Sequence, residues 1–223
     1  HRVDRRQRQM CIRDRLTANV WARSILADDH GVQPQDVTWV RGGIDQPGRA
    51  EKIELKLPDG VVMVNAPADT TISDLLDRGD IDGFMAPRAP SGAARSNPAI
   101  GWLFDDPTAT AKDYYRRTGI FPIMHVLGVR KELAERHPWL PAALFKAFSL
   151  AKAAALDKLD DTSATKVTLP FVEEQLRAAR QTMGPDYWSY GVADNLPTLE
   201  AFTRHHHAPV SYTHLTLPTI YSV

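Results

Sequence analysis

The spacing of apolar and polar positions predicts alternating helices and strands up to about residue 119 and mostly helices after it. Apolar residues recur at helical spacing in seven segments, which span residues 17–29, 71–78, 108–117, 130–137, 140–159, 170–183 and 192–207. Short apolar runs predict strands over residues 38–40, 52–57, 61–64, 81–86 and 123–129. This order is typical of the α/β fold class, and the change near residue 119 indicates a lobe boundary or a crossing of the chain between lobes.

Caps and turns mark the limits of several of these elements. Thr71, with Asp74 three residues later, has the sequence signature of a capping box, and Gly79 follows the same helix as its stop. Residues 41–49 read Arg-Gly-Gly-Ile-Asp-Gln-Pro-Gly-Arg, which predicts a loop bracketed by two arginines. The small, polar and proline-containing residues 91–107 predict a surface loop.

The two ends of the chain are related to each other as a nucleotide sequence and its reverse complement. One permitted codon string for residues 5–14 has a reverse complement that translates to Val-Ser-Tyr-Thr-His-Leu-Thr-Leu-Pro-Thr, which is residues 210–219. We therefore expect residues 1–15 and 210–223 to be a sequencing-library adapter read in its two orientations, and the N-terminal part of the natural protein to be missing. The alternative is a basic N-terminal arm and a β-prone C-terminal tail.

Charge and cysteine content exclude several classes of protein. The 223 residues hold 27 Lys and Arg against 27 Asp and Glu, whereas residues 16–209 hold 21 against 25, a net charge of −4. Neither balance suits a nucleic-acid or anionic-membrane partner, and no stretch approaches eighteen apolar residues. The single cysteine, Cys11, excludes an intrachain disulfide framework.

Arginines recur in loops and helix ends near the predicted strands, at Arg41, Arg49, Arg88, Arg116 and Arg117. In open α/β sheets, ligands bind beyond the carboxyl ends of the strands, and guanidinium pairs with carboxylate through two hydrogen bonds. The helix that begins at Thr17 would add backbone N–H donors. The pattern indicates a site for a dianionic ligand; the alternative is solvated loop charges or surface ion pairs.

Histidine provides the candidate proton donor. His125 lies inside the apolar run 123–129, and histidine exchanges a proton near neutral pH. The alternative is a core histidine bonded to a backbone carbonyl. Residues 205–207 are three histidines that splay about 100° apart on a helix, which predicts a solvated helix end and no metal site. No established catalytic or nucleotide-binding motif is present.

Five stretches together form a recognisable set of motifs. They are Thr-Ala-x-x-Trp-Ala-Arg at 17–23, Arg-Gly-Gly-x-x-x-Pro-Gly-Arg at 41–49, Gly-Asp-Ile-Asp-Gly at 79–83 leading to Ala-Pro-Arg-Ala-Pro-Ser at 86–91, Tyr-Arg-Arg-Thr-Gly-Ile-Phe-Pro-Ile-Met-His at 115–125, and His-Pro-Trp-Leu-Pro at 137–141 with Lys-Ala-Phe at 146–148. Through these motifs residues 16–208 resemble the 4,5-dihydroxyphthalate decarboxylase family.

The resemblance implies a fold similar to the type II periplasmic solute-binding proteins, in which two α/β lobes enclose a ligand cleft. On that template residues 16–118 form most of the second lobe. Residues 119–209 supply a crossing strand and the helical C-terminal part of an incomplete first lobe. We expect the chain on its own to be unstable or inactive.

The function implied by the resemblance is decarboxylation of a dihydroxylated aromatic dicarboxylate by ring protonation and loss of CO2, without an organic cofactor, in the cytoplasm. His125 would deliver the proton, and the substrate would be bound by Thr17, Arg41, Arg49, Arg88, Ser91 and Arg117. One alternative is a periplasmic solute-binding protein that captures an aromatic or dicarboxylate ligand for a transporter. Another is a related decarboxylase or hydrolase that acts on a different aromatic acid.

Overall fold

A computed structural model describes residues 8–12, 17–48, 57–91, 96–163 and 168–207. In this part of the chain the strands are β1 (Arg8–Ile12), β2 (Val37–Arg41), β3 (Val62–Asn65) and β4 (Gly83–Phe84). The helices are α1 (Thr17–His30), α2 (Ile72–Arg78), α3 (Pro107–Thr118), α4 (Lys131–Arg136), α5 (Leu140–Asp160), α6 (Val172–Met183) and α7 (Leu196–His207). Single turns of 3-10 helix precede β2 and α7.

The four strands form one parallel sheet in the order β3-β2-β1-β4. In β2, Arg41 lies beside Ile12 of β1 on one side and beside Asn65 of β3 on the other. Because the strands are parallel, their carboxyl ends meet at one edge, here called the carboxyl edge. Strand β1 falls within residues 1–15, whose adapter origin stays a prediction.

The core of the sheet lies on both sides of β2, whose side chains alternate between the two faces. Val40 packs in a buried cluster with Ile72, Leu75, Leu76 and Ile81, so α2 covers the Val40 face. Trp39 packs with two buried valines on the opposite face. There the guanidinium carbon of Arg23 in α1 lies 5.9 Å from the centre of the Trp39 ring. Helices on both faces of a parallel sheet confirm the mixed α/β class.

Helix α2 is held by the caps that its sequence predicts. The Thr71 hydroxyl accepts a hydrogen bond from the Asp74 N–H at 3.0 Å, and the Asp74 carboxylate accepts one from the Thr71 N–H at 3.1 Å. Gly79 ends the helix in the left-handed conformation, with φ of 72°. Each bond satisfies a backbone group that a helix end would otherwise leave without a partner.

The strand predicted over residues 123–129 is wrong, and the one predicted over 81–86 is reduced to Gly83–Phe84. Residues 119–130 form neither helix nor strand, and Val126 and Leu127 are 78% and 62% exposed. A β-branched apolar run becomes a strand only when a neighbouring strand accepts its hydrogen bonds. No described strand pairs with this segment. The strand predicted over 52–57 cannot be compared over residues 52–56, which lie outside the described residues, and its last residue, Leu57, lies in no strand.

Contacts divide the chain into two units. Among the described residues, unit 1 runs to Asp105 and resumes at Glu200, and it contains the sheet. Unit 2 spans Asp106–Leu199 and contains α3 to α6, in none of which a described residue is buried. Within unit 2, Arg180 of α6 binds Asp160 of α5 through two hydrogen bonds of 2.6 Å. In the described part of the chain, no helix is both long and apolar enough to span a bilayer.

Gly42 is required by close packing rather than by its backbone angles. A Cβ at this position would lie 2.9 Å from Cβ of Ala66 and 3.0 Å from Cδ1 of Ile72. We expect Gly42→Ala to lower the free energy of unfolding by about 1–3 kcal/mol, the usual cost of overpacking. Urea unfolding followed by tryptophan fluorescence measures this. Gly101→Ala is the matched control, because nothing lies within 4 Å of its added Cβ; equal losses in the two variants would contradict the packing argument.

Candidate functional site

The candidate site is the carboxyl edge of the sheet in unit 1. Arg41 is the last residue of β2, and the loop that follows β4 carries Arg88 and Ser91. Helix α1 begins at Thr17, five residues after β1 ends. The parallel topology therefore brings four of the predicted substrate-binding residues to one edge of one sheet, where open α/β folds bind ligands.

Arg41 is oriented along this edge by the neighbouring strand. Its Nε and Nη2 both donate to Oδ1 of Asn65, at 3.1 and 2.9 Å, and its carbonyl accepts the N–H of Ala66 at 2.8 Å. Asn65 was not singled out by the sequence analysis. Its position at the end of β3 is what makes it a partner for the arginine that ends β2.

The glycine loop after β2 is fastened to the start of α2. The carbonyl of Gly43 accepts the N–H of Ile72 at 2.9 Å, and the carbonyl of Ile44 accepts the N–H of Ser73 at 3.1 Å. The loop thus satisfies first-turn donors of α2 with its own backbone. The predicted loop over 41–49 is confirmed over residues 42–48, whereas Arg41 ends β2 and Arg49 lies outside the described residues.

Asp45 is the residue that joins the glycine loop to the loop after β4. Its Oδ1 accepts the Ser73 hydroxyl at 2.8 Å, the Ser91 hydroxyl at 2.6 Å and the Ser91 N–H at 3.3 Å. The hydrogen bond from the Ser91 hydroxyl, followed by that from Ser73, lowers the pKa of Asp45 below its ordinary value of 3.8. The charge of Arg88 acts in the same direction. Asp45 stands inside the arginine-bracketed loop, but no local pattern in the sequence marks it as a functional residue.

The remaining predicted site residues, Arg117 and His125, belong to unit 2. Arg117, in the last turn of α3, donates through Nε to Asp113 at 2.8 Å and lies 5.9 Å from the Tyr114 ring. The exposed pair contributes little to stability. His125 is exposed, within the irregular segment 119–130.

An aromatic contact anchors the start of this segment within unit 2. The rings of Phe121 and Trp188 meet edge to face with centroids 5.5 Å apart. Lys152 supports the same region: its Nζ donates to Asp186 at 2.7 Å and to the Trp188 carbonyl at 3.1 Å, and it lies 4.9 Å from the Tyr190 ring. The segment that carries His125 therefore has a fixed starting point four residues before the histidine.

The prediction of a solvated helix end over residues 205–207 is wrong for His205. This side chain is buried in unit 1, and its Nε2 lies 2.8 Å from Oδ2 of Asp28, which also accepts Nη2 of Arg204 at 3.1 Å. The partner stands 177 residues away in the sequence, so no local pattern reveals it. In the part of the chain that the structure describes, no three His, Cys, Asp or Glu side chains are grouped to hold a metal ion.

The chemistry that the carboxyl edge offers is recognition of an anion. Arg41 and Arg88 supply positive charge, and guanidinium binds carboxylate with fixed, two-pronged geometry. The carboxylate of Asp45, which joins the two loops, already accepts three hydrogen bonds.

Comparison with known proteins gives an independent line of evidence. No protein-family model matches the chain. A 4,5-dihydroxyphthalate decarboxylase of Comamonas testosteroni is 58% identical over 193 residues, which are 86% of this chain and 58% of that protein. A protein of the same name from Pseudomonas putida is 50% identical over 101 residues, which are 45% of this chain and 39% of that protein. The chain thus spans less than two thirds of the length of either relative. The motif-based resemblance is confirmed: over most of its length this chain is similar to the 4,5-dihydroxyphthalate decarboxylases.

Proposed function

We propose that this chain forms part of an enzyme that decarboxylates 4,5-dihydroxyphthalate to protocatechuate. The observation that carries the proposal is the 58% identity over 193 residues to a protein named for that activity. The arginines at the carboxyl edge support it, because the substrate carries two carboxylates. Among the residues that the structure describes, no contact favours the alternative of a solute-binding protein without catalysis.

The reaction requires little from the protein beyond binding and a proton. Each carboxylate of the substrate is para to a hydroxyl. Ionisation of that hydroxyl raises the electron density at the ring carbon bearing the carboxylate, and a proton adds to this carbon. The carbon–carboxylate bond then breaks, its electron pair returns to the ring, and CO2 leaves. Because the ring accepts and returns the electrons, we propose that no organic cofactor takes part.

We propose that the carboxylate retained by the substrate is bound by Arg41, Arg49, Arg88 and Arg117. His125 delivers the proton. Thr17, at the start of α1, contributes donors to the same anion. The proposal includes two lobes similar to the type II periplasmic solute-binding proteins, with the cleft between them, and a cytoplasmic location. Fixing the substrate between charged clamps and excluding water are the contributions expected of such a cleft.

The test uses the completed chain, meaning the matched region of this chain joined to the two fifths of the Comamonas testosteroni relative that it does not match. We expect equimolar CO2 and protocatechuate from 4,5-dihydroxyphthalate, measured by gas analysis and liquid chromatography. In D2O the product should carry one deuterium at the carbon that lost the carboxylate. The Comamonas relative serves as the positive control. Substrate binding without turnover would overturn the proposal in favour of a solute-binding protein.

Arg88→Ala and Arg41→Ala are each expected to raise KM by about tenfold with little change in kcat. A charge-assisted hydrogen bond contributes about 1.5–3 kcal/mol, and the spectator carboxylate is bound equally in the ground and transition states. Steady-state kinetics of the completed chain measure the two constants. The control is Arg78→Ala, since Arg78 lies at the far end of α2 and pairs with Asp80 at 2.9 Å. If KM is unchanged in both variants, Arg41 and Arg88 do not bind the substrate carboxylate.

A further inference from the structure

Three hydrogen-bond donors converge on a single oxygen atom of Asp45. The hydroxyls of Ser73 and Ser91 and the N–H of Ser91 all point to Oδ1, at 2.8, 2.6 and 3.3 Å. Ser73 belongs to the first turn of α2, and Ser91 belongs to the loop after β4, 46 residues beyond Asp45 in the sequence. The carboxylate therefore joins three separate segments at the carboxyl edge.

Ser91 gives both of its donors to this carboxylate. A serine has one hydroxyl proton and one backbone N–H, and here both are directed at Asp45. A substrate carboxylate accepts hydrogen bonds and donates none. In this arrangement Ser91 therefore has no donor left for a substrate carboxylate.

The position of Ser91 restricts the position of the Arg88 backbone. Only Ala89 and Pro90 separate the two residues, and the proline ring fixes one backbone angle of this short connection. Arg88 is also close enough to lower the pKa of Asp45 through its charge. By holding Ser91, the carboxylate of Asp45 therefore also restricts the backbone at Arg88.

We propose that Asp45 is a positioning residue that fixes the loop from Arg88 to Ser91, so that Ser91 orients Arg88 and donates no hydrogen bond to the substrate carboxylates. This inference rests on the proposed function only for its consequence in catalysis. The loop geometry itself is tested without substrate.

The first experiment follows the Ser91 amide proton by NMR in the 223-residue chain. Because the pKa of Asp45 is lowered, its carboxylate is ionised and holds the loop at any pH above the ordinary pKa of aspartate. It releases the loop as the pH falls through the lowered pKa. The charged neighbours that act on this equilibrium are Arg88 and Asp74. We expect the Ser91 resonance to titrate with a midpoint below 3.8, and to lose this titration in Asp45→Asn. A Ser91 resonance that titrates identically in Asp45→Asn would overturn the inference.

The second experiment is a double-mutant cycle in the completed chain. Asp45→Ala is expected to raise KM for 4,5-dihydroxyphthalate by about tenfold, as loss of Arg88 does, with Asp45→Asn intermediate because it keeps an acceptor oxygen. Adding Ser91→Ala to Asp45→Ala should raise KM no further, since the serine acts through the aspartate. Independent, multiplying effects on KM would show that Ser91 binds the substrate directly and would overturn the inference.

Controls separate this inference from the proposed function. Asp59→Ala is the matched control, because Asp59 stands in the turn before β3, away from the carboxyl edge, and should leave KM unchanged. If the completed chain shows no turnover, the proposed function fails. The Ser91 titration then still decides whether Asp45 holds the loop.

Discussion

Replacement of His125 by glutamine in the completed chain is expected to lower kcat at least about a hundredfold, the low end for loss of a general acid. Glutamine keeps a hydrogen-bonding side chain of similar reach but has no proton to give. Steady-state kinetics with 4,5-dihydroxyphthalate measure the effect. The KM should change little, because the proposed mechanism assigns binding of the substrate to the arginines and not to His125.

The surroundings of His125 favour this role over that of a core histidine. Phe121, Met124, Val126 and Leu127 around it are all exposed, at 46%, 41%, 78% and 62%. A histidine set among uncovered apolar side chains can meet a ligand that enters beside it, and apolar neighbours then keep water from the proton that it transfers. Phe121, four residues before the histidine, contacts Trp188 within unit 2.

The matched control for His125 is His30→Gln. His30 is also exposed and lies near an aromatic ring, with its centroid 5.5 Å from that of Phe104, but it belongs to unit 1 at the end of α1. Its replacement should leave kcat unchanged. The pH dependence of kcat gives a second readout, since the limb that reports the general acid should disappear in His125→Gln. Full turnover by this variant would remove His125 from the mechanism.

Local signals in the sequence were enough to locate α2 and the glycine loop. The caps of α2 are formed by Thr71, Asp74 and Gly79. Each of these residues bonds to groups only a few positions away, so the local sequence contains both partners of every cap. The arginine at the end of β2 was also predictable, because a strand followed by Arg-Gly-Gly places the charge at the carboxyl edge.

Other features depend on residues that are distant in the sequence. Residues 123–129 have the composition of a strand, but a strand needs a neighbour, and the described residues supply none. His205 looks like a solvated helix end until Asp28 is placed beside it. Asp45 bonds to Ser91 across 46 residues, and no periodicity relates the two. In each case the tertiary fold, and not local propensity, decides the environment of the side chain.

Hydrogen exchange is expected to show that unit 1 is much more stable than unit 2 in the 223-residue chain. Amides of β2 and α2 should exchange at least about a hundredfold more slowly than those of α5, which corresponds to about 2.7 kcal/mol. A buried Val, Leu or Ile side chain contributes about 1.5–3 kcal/mol, and Ile72, with none of its surface exposed, is one of several in unit 1. Mass spectrometry of peptides from each helix measures the rates.

Helix length alone would predict that α5 is more stable than α2. Helix α5 has 21 residues and α2 has seven, and longer helices are intrinsically more stable. No described residue of α5 is buried, however, and Phe145 and Phe148 are 44% and 46% exposed on it. Most helical stability in proteins comes from packing of an apolar face, so burial should outweigh length. Equal protection of α2 and α5 would contradict this reasoning.

The completed chain provides the comparison that separates two reasons for weak protection of α5. If the helix is weak because its apolar side chains are uncovered, the added two fifths of the Comamonas relative should slow exchange in α5 and leave α2 unchanged. The substitution Phe148→Ser should then destabilise α5 in the completed chain and have little effect in the 223-residue chain, where that side chain is already half exposed. If exchange in α5 stays fast in the completed chain, the added residues do not cover its apolar face, and the weak packing of unit 2 is then a property of the completed chain as well.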